Sequence, residues 1–188
     1  MSIDTVRRLV GPTIKTASGD YFDLEDPDFR SIKIEDIGYA LAMLCRYTGH
    51  CSAFYSVAQH SVLVSTIVPV EHALAGLLHD AAEAYIGDVS KPLKSLLPDY
   101  KRIEARIEAA VFKRFGLPEV LPDAVKRADL ILLRTEQRDL MNADGEEWSA
   151  TKDFAPLAQR IEPWSPKMAQ AQFIARFLDL TAGDEWLG

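Results

Sequence analysis

The segment that most constrains the fold of this chain is an apolar run that passes directly into charged residues. Residues 73–78 have the sequence ALAGLL, whose composition and period predict a buried helix, and HDAAE follows at residues 79–83. A histidine and a carboxylate in such a helix are costly unless they bind each other or a cation. His79 and Asp80 can both reach one metal ion beside the helix, and Glu83 lies one turn further along the same face. The segment therefore predicts a metal site with a carboxylate that can act on metal-bound water.

Size and charge limit the classes of protein to which this chain can belong. With 188 residues and a mass of 21.0 kDa, it fits a single domain over residues 1–188 with a sizeable core. The content of 48% hydrophobic and 26% charged residues is ordinary for a soluble globular protein. The net charge of −7 and the isoelectric point near 5.1 argue against a nucleic acid polymer as partner. A small phosphate ester is compatible with this charge, because one or two local cations are enough to bind it.

The sequence carries no pattern for export or for crossing a membrane. The first ten residues include Arg7 and Arg8 but lack the apolar core of a signal peptide. No apolar run approaches the roughly 20 residues that span a bilayer. The two cysteines, Cys45 and Cys51, lack the spacing of a metal knuckle and are too few for a disulfide framework, so we expect reduced thiols near the core. These features predict a cytoplasmic protein without a membrane partner.

Hydrophobic periodicity predicts a mostly helical chain after a short N-terminal β-hairpin. Residues 11–24 alternate around a glycine-containing turn and predict two strands, which should pack on the helical body because a lone hairpin is marginal. An apolar stripe that starts at Ile34 predicts a first helix ending near residues 46–49, with Gly49 as its cap. We therefore expect an all-α fold with a helical core over about 34–182 and without internal repeats. The further predicted helices cover residues 56–68, 70–86, a short piece within 87–98, 99–115, 124–142 and 165–180.

Two more polar side chains are unusual for their apolar surroundings. His60 interrupts the apolar face of its predicted helix, and Asp129 opens an apolar run. Taken alone, His60 fits a core histidine bonded to the backbone, and Asp129 fits an ion pair with Arg127 or a charge at a helix end. Together with His79 and Asp80, they form a mixed nitrogen and oxygen ligand set on three apolar helices, which can converge in a bundle. Such a set suits Zn, Mn, Fe, Co or Ni better than Ca, which prefers oxygen ligands.

The order of these residues resembles a known family. His60, the pair His79-Asp80 and Asp129 are similar to the H…HD…D signature of the HD-domain metal-dependent phosphohydrolases. The similarity covers about residues 34–140 and implies an HD-domain helical bundle, with the N-terminal hairpin outside the minimal core. It also implies that the four residues hold one divalent metal ion (Zn, Mn, Co, Fe, Ni or Mg), with positions left for water and a phosphate oxygen.

A finer pattern resembles the bacterial 5′-deoxynucleotidase branch of that family. Glu83 follows the HD pair by three residues, Gly87 and Asp88 lie beyond it, and Arg46 precedes His60 by fourteen residues. The resemblance implies that Arg46 clamps a phosphate and that Glu83 orients the water or carries its proton. Asp88 would bind a sugar hydroxyl or take part in proton transfer. The residues alone leave other roles open: a helix C-terminal charge for Arg46, a solvent-facing or capping side chain for Glu83, and an N-cap for Asp88.

The substrate-binding residues are expected around the same centre. Tyr47 stands where the deoxynucleotidases tend to have tryptophan after the clamping arginine, and it can still stack on a base or sugar. Lys91 and Lys94 can add positive potential for phosphate. The resulting expectation is an enzyme that releases phosphate from a small phosphate ester, preferably a (deoxy)nucleoside 5′-monophosphate. The alternatives are a nucleoside triphosphate or signalling-nucleotide hydrolase, which should recruit the lysines, and a nucleotide-binding regulatory module without catalysis.

Three further residues and the oligomeric state complete the expectations. His72 falls on no ligand position of the family and is expected to be structural. His50 and Tyr55 flank the loop near the clamping arginine and can contact substrate. The family also implies a homodimer, for which the apolar faces of residues 99–115 and 165–180 are candidate surfaces.

Overall fold

A short antiparallel hairpin precedes a body of α-helices. The computed structural model describes residues 11–141, 146 and 148–182. This architecture confirms the mostly helical fold with a small two-stranded sheet. No helix in these ranges is long and apolar enough to cross a membrane. The strands and helices are β1 Thr13–Lys15, β2 Tyr21–Asp23, α1 Ile34–Met43, α2 Val57–Ile67, α3 Ala73–Leu78, α4 Glu83–Ile86, α5 Lys91–Leu96, α6 Pro98–Arg114, α7 Asp123–Leu140 and α8 Pro166–Leu180.

The ends of the longer helices follow local sequence signals. Ser56 caps α2, because its hydroxyl accepts a hydrogen bond from the N–H of Gln59 at 3.1 Å. Ser165 caps α8 in the same way, and Pro166 occupies the first helical position, where a missing N–H costs nothing. The predicted boundaries of α2, α6 and α8 are therefore confirmed to within one residue. The helix predicted over 124–142 is α7, and residue 142 lies outside the described ranges.

The hairpin packs on the helices, as predicted. Strands β1 and β2 pair with Ile14 opposite Phe22. The Phe22 ring is buried and stacks on Tyr85, with the ring centroids 3.9 Å apart. At the tip, the backbone N–H and the hydroxyl of Ser18 both donate to the buried Asp36 carboxylate, at 2.7 and 2.8 Å. One hydrophobic and one polar contact therefore attach the hairpin to α1 and α4.

The first helix ends earlier than the sequence predicts. It stops at Met43, and a separate 3-10 turn spans Arg46–Gly49, so the expected end near residues 46–49 is wrong. Cys45 pairs with Ser56 in an isolated antiparallel bridge. Leu44 and Cys45 have extended backbone geometry, and the antiparallel bridge means that the chain reverses its direction between residues 45 and 56.

The predicted helix over residues 70–86 is divided into three pieces. A 3-10 turn at Val70–His72 precedes α3, and a tight turn separates α3 from α4. The Gly76 carbonyl, which a continuous helix would pair with the N–H of residue 80, accepts the ring Nδ1–H of His79 at 2.8 Å. The next backbone bonds span three residues, as from the N–H of Glu83 to the Asp80 carbonyl at 3.0 Å. The HD pair therefore lies on a turn at the end of α3 rather than within a long helix.

Helix α2 forms the centre of the body. It contacts α1, α3, α7 and α8, and eight of its residues, among them Val57 and Val64, are buried. A polar side chain in this helix must find its partners inside the protein. The candidate dimer surfaces on α6 and α8 contribute Ile107, Val111 and Phe173 to the core of the same chain. These apolar faces are therefore already packed within the chain and give no support to a dimer interface. The homodimer remains a prediction.

Candidate metal centre

The four predicted ligand residues meet around one ring nitrogen. The Nε2 atom of His60 lies 3.3 Å from Nε2 of His79, 3.6 Å from Oδ2 of Asp80 and 3.2 Å from Oδ1 of Asp129. His79 Nε2 and Asp80 Oδ2 are 3.3 Å apart. The donor atoms of His60, His79 and Asp129 all lie within 4.8 Å of one another, an arrangement that could hold a metal ion.

Three separate elements supply these side chains. His60 projects from the centre of α2, His79 and Asp80 lie on the turn after α3, and Asp129 lies in the second turn of α7. The His60 side chain is not exposed, whereas 23% of Asp80 and 36% of Asp129 is accessible to solvent. The centre is therefore closed on the α2 side and open on the side of the two aspartates.

Each histidine has its Nδ1 atom bound by an acceptor. His79 donates Nδ1–H to the Gly76 carbonyl, which can only accept. His60 Nδ1 lies 2.7 Å from Oε1 of Glu136, whose ionised carboxylate also only accepts. Both rings therefore point Nε2 into the centre, the orientation in which hydrogen-bonded histidines bind metals.

Glu136 is the residue of this site that sequence reasoning missed. It is fully buried on α7, seven residues after Asp129 and so on the same helix face. Burial opposes its ionisation, but the charges of Arg46 and His60 outweigh burial and lower the pKa of Glu136 to about 2. The spacing from Asp129 was the available signal, although a seven-residue interval by itself does not distinguish a buried partner from an ordinary helical position.

Asp129 and His60 bind each other rather than the partners expected for each residue taken alone, which were Arg127 for Asp129 and the backbone for His60. Asp129 pairs with His60, and the Arg127 guanidinium lies over the ring of Phe154 instead. Burial opposes the charge of Asp129, but the hydrogen bond from His60 lowers the pKa of Asp129 below its usual range. Burial and the charge of Arg46 disfavour the imidazolium of His60, yet Glu136 and Asp129 raise the pKa of His60 to about 9. The centre therefore attracts a positive charge.

Arg46 and Tyr47 lie beside this centre. Arg46 places Nη1 3.5 Å from Oδ2 of Asp80 and Nη2 3.3 Å from Oε2 of Glu136, with only 12% of its side chain exposed. It lies on a 3-10 turn three residues beyond the end of α1 at Met43, so it is not a charge in the last turn of that helix. The Tyr47 hydroxyl donates to the same Glu136 oxygen, and its ring lies 6.0 Å from the ring of Trp148.

Glu83 is a buried carboxylate of which only one oxygen has a polar contact among the described residues. Its Oε1 lies 3.5 Å from Nζ of Lys94, and its Oε2 has no hydrogen-bond partner among the described residues. Only 6% of the residue is exposed, so the solvent-facing reading is wrong. Burial, together with the charges of Asp80 and Asp88, raises the pKa of Glu83 to about 9.

Asp88 lies close enough to the centre for the charges of Arg46, Asp80 and His60 to act on its carboxyl group, whereas Lys91 is exposed to solvent. Burial raises the pKa of Asp88, Arg46 counteracts the rise, and Asp80 adds to it. Ser90 rather than Asp88 occupies the N-cap of α5. Lys91 is exposed at the start of α5 and makes no hydrogen bond or ion pair within residues 11–141.

Among the remaining candidates, only Tyr55 departs from the expectation. His50 is exposed after the Arg46 turn, and His72 is half-buried in the turn before α3. Tyr55 is fully buried, and direct substrate contact by this side chain is therefore excluded. Lys94 binds Oε1 of Glu104 as well as Glu83.

The fold and the site together define a mostly helical protein with a histidine and aspartate group that could hold a metal ion. No family model matches the chain. It is 46% identical over 169 residues to the uncharacterized protein YfdR of Escherichia coli strain K12, an alignment that covers 89% of this chain and 95% of YfdR. It is also 37% identical over 181 residues to an uncharacterized protein of Rhodobacter capsulatus, covering 85% of this chain and 90% of that protein. The chain therefore belongs to the YfdR family.

Proposed function

We propose that this protein is an HD-domain metal-dependent phosphohydrolase that releases phosphate from a small phosphate ester, with a (deoxy)nucleoside 5′-monophosphate as the preferred substrate. The observation that carries the proposal is the meeting of four donor atoms, with His60 Nε2 within 3.6 Å of the other three. The H…HD…D order of those residues supports the same assignment. Two carboxylates beside the donor set, those of Glu83 and Asp88, favour a catalytic centre over a regulatory module, because Glu83 is buried with one oxygen left without a hydrogen-bond partner among the described residues.

The donor set fits a divalent transition metal. Two Nε2 atoms face each other at 3.3 Å while both Nδ1 atoms donate elsewhere, so the pair needs a positive charge between them. Without a metal ion, the proton that the raised pKa keeps on His60 supplies that charge, and a metal ion would take its place. Two imidazoles and two carboxylates suit Zn, Mn, Fe, Co or Ni, and Mg less well. His60, His79, Asp80 and Asp129 would hold the ion. When bound, it supplies a water of lowered pKa and polarises a phosphoryl oxygen.

Arg46 is the residue that binds the phosphate. Its guanidinium borders Asp80 and thus the open side of the centre, and its buried Nε–H lacks a partner among the residues described. A phosphate oxygen can accept from this fork, since guanidinium and phosphate geometries match. Tyr47 helps to orient Arg46, because both bind one oxygen of Glu136.

Glu83 is the residue that carries a proton. Lys94 contacts one of its oxygens, and the other is buried without a hydrogen-bond partner among the described residues. When ionised, this carboxylate can take a proton from the attacking water, and its raised pKa favours holding that proton until it passes to the leaving hydroxyl. Asp88, half-buried beside it, would bind a sugar hydroxyl or share the proton.

The positive charges near the centre favour a monophosphate over a triphosphate. Lys91 is exposed to solvent, and Lys94 is paired with Glu104 and contacts Glu83. Arg46 and the metal suffice for one phosphate dianion. The β- and γ-phosphates of a triphosphate would need further cations, which Lys91 and Lys94 do not supply.

The proposal is tested with a nucleotide panel. The metal-stripped protein is reloaded separately with Mn, Co, Zn and Mg, and each form is assayed with nucleoside 5′-mono-, di- and triphosphates for orthophosphate, pyrophosphate and triphosphate. We expect orthophosphate from monophosphates with at least one transition metal, and none from an Asp129→Asn variant. Release of triphosphate or pyrophosphate alone would replace the proposal by the triphosphate alternative. Stoichiometric metal without turnover of any nucleotide would favour the regulatory module, and a chain that binds no metal would contradict both.

A further inference from the structure

Two thiols bracket the turn that carries the clamping arginine. Cys45 and Cys51 are the two cysteines of the sequence, and their Sγ atoms lie 3.6 Å apart. Both are half-buried and reduced in this structure. Cys51 Sγ also lies 3.0 Å from the Ala53 carbonyl oxygen, to which its S–H donates. The thiols therefore meet on one side of the turn with part of their surface open to small oxidants.

The fold holds the two ends of this turn together. Cys45 is bridged to Ser56, and the backbone N–H of Arg46 donates to the Tyr55 carbonyl at 2.9 Å. On the other side, the N–H of Ser52 donates to the Leu140 carbonyl at 2.8 Å. The approach of the thiols is thus a consequence of backbone pairing at both ends rather than of two mobile side chains.

The turn itself is strained. Tyr47 has φ 57° and Thr48 has φ 54°, and Gly49 follows with φ 82°. Non-glycine residues in the left-handed region are energetically unfavourable and persist only where surrounding contacts hold them. Here those contacts include the hydrogen bond from Tyr47 to Glu136. A change in the distance between the two ends of the turn should therefore move the side chains that the turn carries.

We propose that Cys45 and Cys51 are a modification site at which a hydroperoxide forms a reversible intramolecular disulfide. One thiolate attacks the peroxide oxygen, which breaks the O–O bond and leaves a sulfenic acid and hydroxide. The second thiolate attacks the sulfenic sulfur, the S–S bond forms, and hydroxide departs. With hydrogen peroxide the two thiols lose two electrons and two protons, and two waters are released. A disulfide needs its sulfurs about 2.05 Å apart, so the pair must close by roughly 1.5 Å.

Closing the disulfide moves the arginine. Arg46 follows Cys45 directly, and its guanidinium is placed between Asp80 and Glu136. A displacement of about 1 Å in a positioning residue can cost roughly 10²-fold in rate. Oxidation therefore slows phosphate release at least tenfold, a consequence that rests on the proposed function, whereas the disulfide does not.

Intact mass and peptide mapping test the disulfide without reference to activity. The full reduced chain is treated with hydrogen peroxide and then analysed without reductant, beside the matched variants Cys45→Ser and Cys51→Ser. We expect the wild type to lose the mass of two hydrogen atoms and to yield a linked Cys45–Cys51 peptide, which thiols reverse. The single variants should instead gain oxygen at the remaining thiol. The proposal would be overturned by stable oxygen addition in the wild type or by a disulfide between two chains. It would also be overturned if the folded chain did not react under conditions in which the urea-unfolded chain does.

A second measurement tests the effect on the turn. Orthophosphate release and orthophosphate binding to the metal-loaded protein are compared before oxidation, after it and after reduction, with the double variant Cys45→Ser/Cys51→Ser, which has no thiol, as the insensitive control. We expect both to weaken on oxidation and to recover on reduction. An unchanged rate and affinity in the fully linked protein would overturn the coupling to Arg46. A linked peptide in a protein that hydrolyses no nucleotide in either state would contradict the proposed function and leave the modification site standing.

Discussion

His60 donates its Nδ1–H to Oε1 of Glu136 across 2.7 Å, at a place where neither side chain is exposed to solvent. The other oxygen of the same carboxylate binds both Arg46 and Tyr47. One buried group therefore orients a candidate metal ligand and holds the candidate phosphate clamp. Glu136 is a positioning residue that joins the two halves of the site.

The first prediction concerns this carboxylate. Replacing Glu136 by Gln keeps its shape but removes the charge that orients His60, and a lost partner of this kind typically weakens metal binding about 10- to 100-fold. The measurement is competition with a chelator for Zn or Mn under native conditions, with circular dichroism to confirm folding. Glu119→Gln, an exposed site, is the matched control. Equal metal affinities for the two variants would contradict the positioning role.

A second prediction separates ligand histidines from the others. His79→Ala removes one nitrogen donor, and we expect the variant to lose its stoichiometric metal while remaining folded. His50 is exposed and lies outside the donor group, so His50→Ala should retain the ion. Elemental analysis after gel filtration gives the metal content per chain. Retention of a full equivalent by His79→Ala would remove this residue from the centre.

Glu83 is the subject of the third prediction. In Glu83→Gln the group that carries the proton is lost, so phosphate release should fall by about 10²-fold or more while the metal content stays unchanged. Steady-state rates on the best nucleotide of the panel, together with elemental analysis, measure both quantities. The exposed Glu71→Gln variant should keep the wild-type rate. Loss of metal along with activity would instead assign Glu83 to the ligand set.

The fourth prediction concerns stability and pH at a site away from the centre. The Asp139 carboxylate accepts hydrogen bonds from Arg138 at 2.7 Å and from the N–H of Ile161 at 2.9 Å, and its side chain is 1% exposed. The hydrogen bond from Arg138 lowers the pKa of Asp139 in the folded protein. The contribution of the ionised carboxylate to the free energy of unfolding is therefore fully present above the unfolded pKa near 3.9, and it is lost as pH falls through the pKa of the folded protein.

Asp139→Asn should therefore lower the free energy of unfolding at pH 7 by about 1.5–3 kcal/mol. The difference from the wild type should shrink below about pH 4, because the wild-type carboxylate also becomes neutral there. Urea titrations followed by circular dichroism at several pH values provide the measurement. Asp153 is exposed, and Asp153→Asn serves as the control. A difference that is constant from pH 7 to the acid limit would show that the charge of Asp139 is not what stabilises the fold.

Short-range patterns explain which parts of this protein could be predicted. The hairpin follows from alternation around a turn within residues 11–24, and α6, α7 and α8 follow from apolar residues at helical spacing. The break after α3 could not be predicted in this way. It depends on the His79 ring taking the Gly76 carbonyl, a side-chain choice that composition does not reveal.

The sequence by itself determined the helical character, the small hairpin and the inventory of histidines and carboxylates available for a metal. Only the tertiary structure decided that His60 binds Glu136, seventy-six residues away, and that Lys94 is occupied by Glu83 and Glu104 rather than left for phosphate. Secondary structure depends on neighbours within a few turns, whereas the partner of a buried charge depends on which helices pack together. The chemistry of the centre is therefore set by the packing of α2 against α3 and α7.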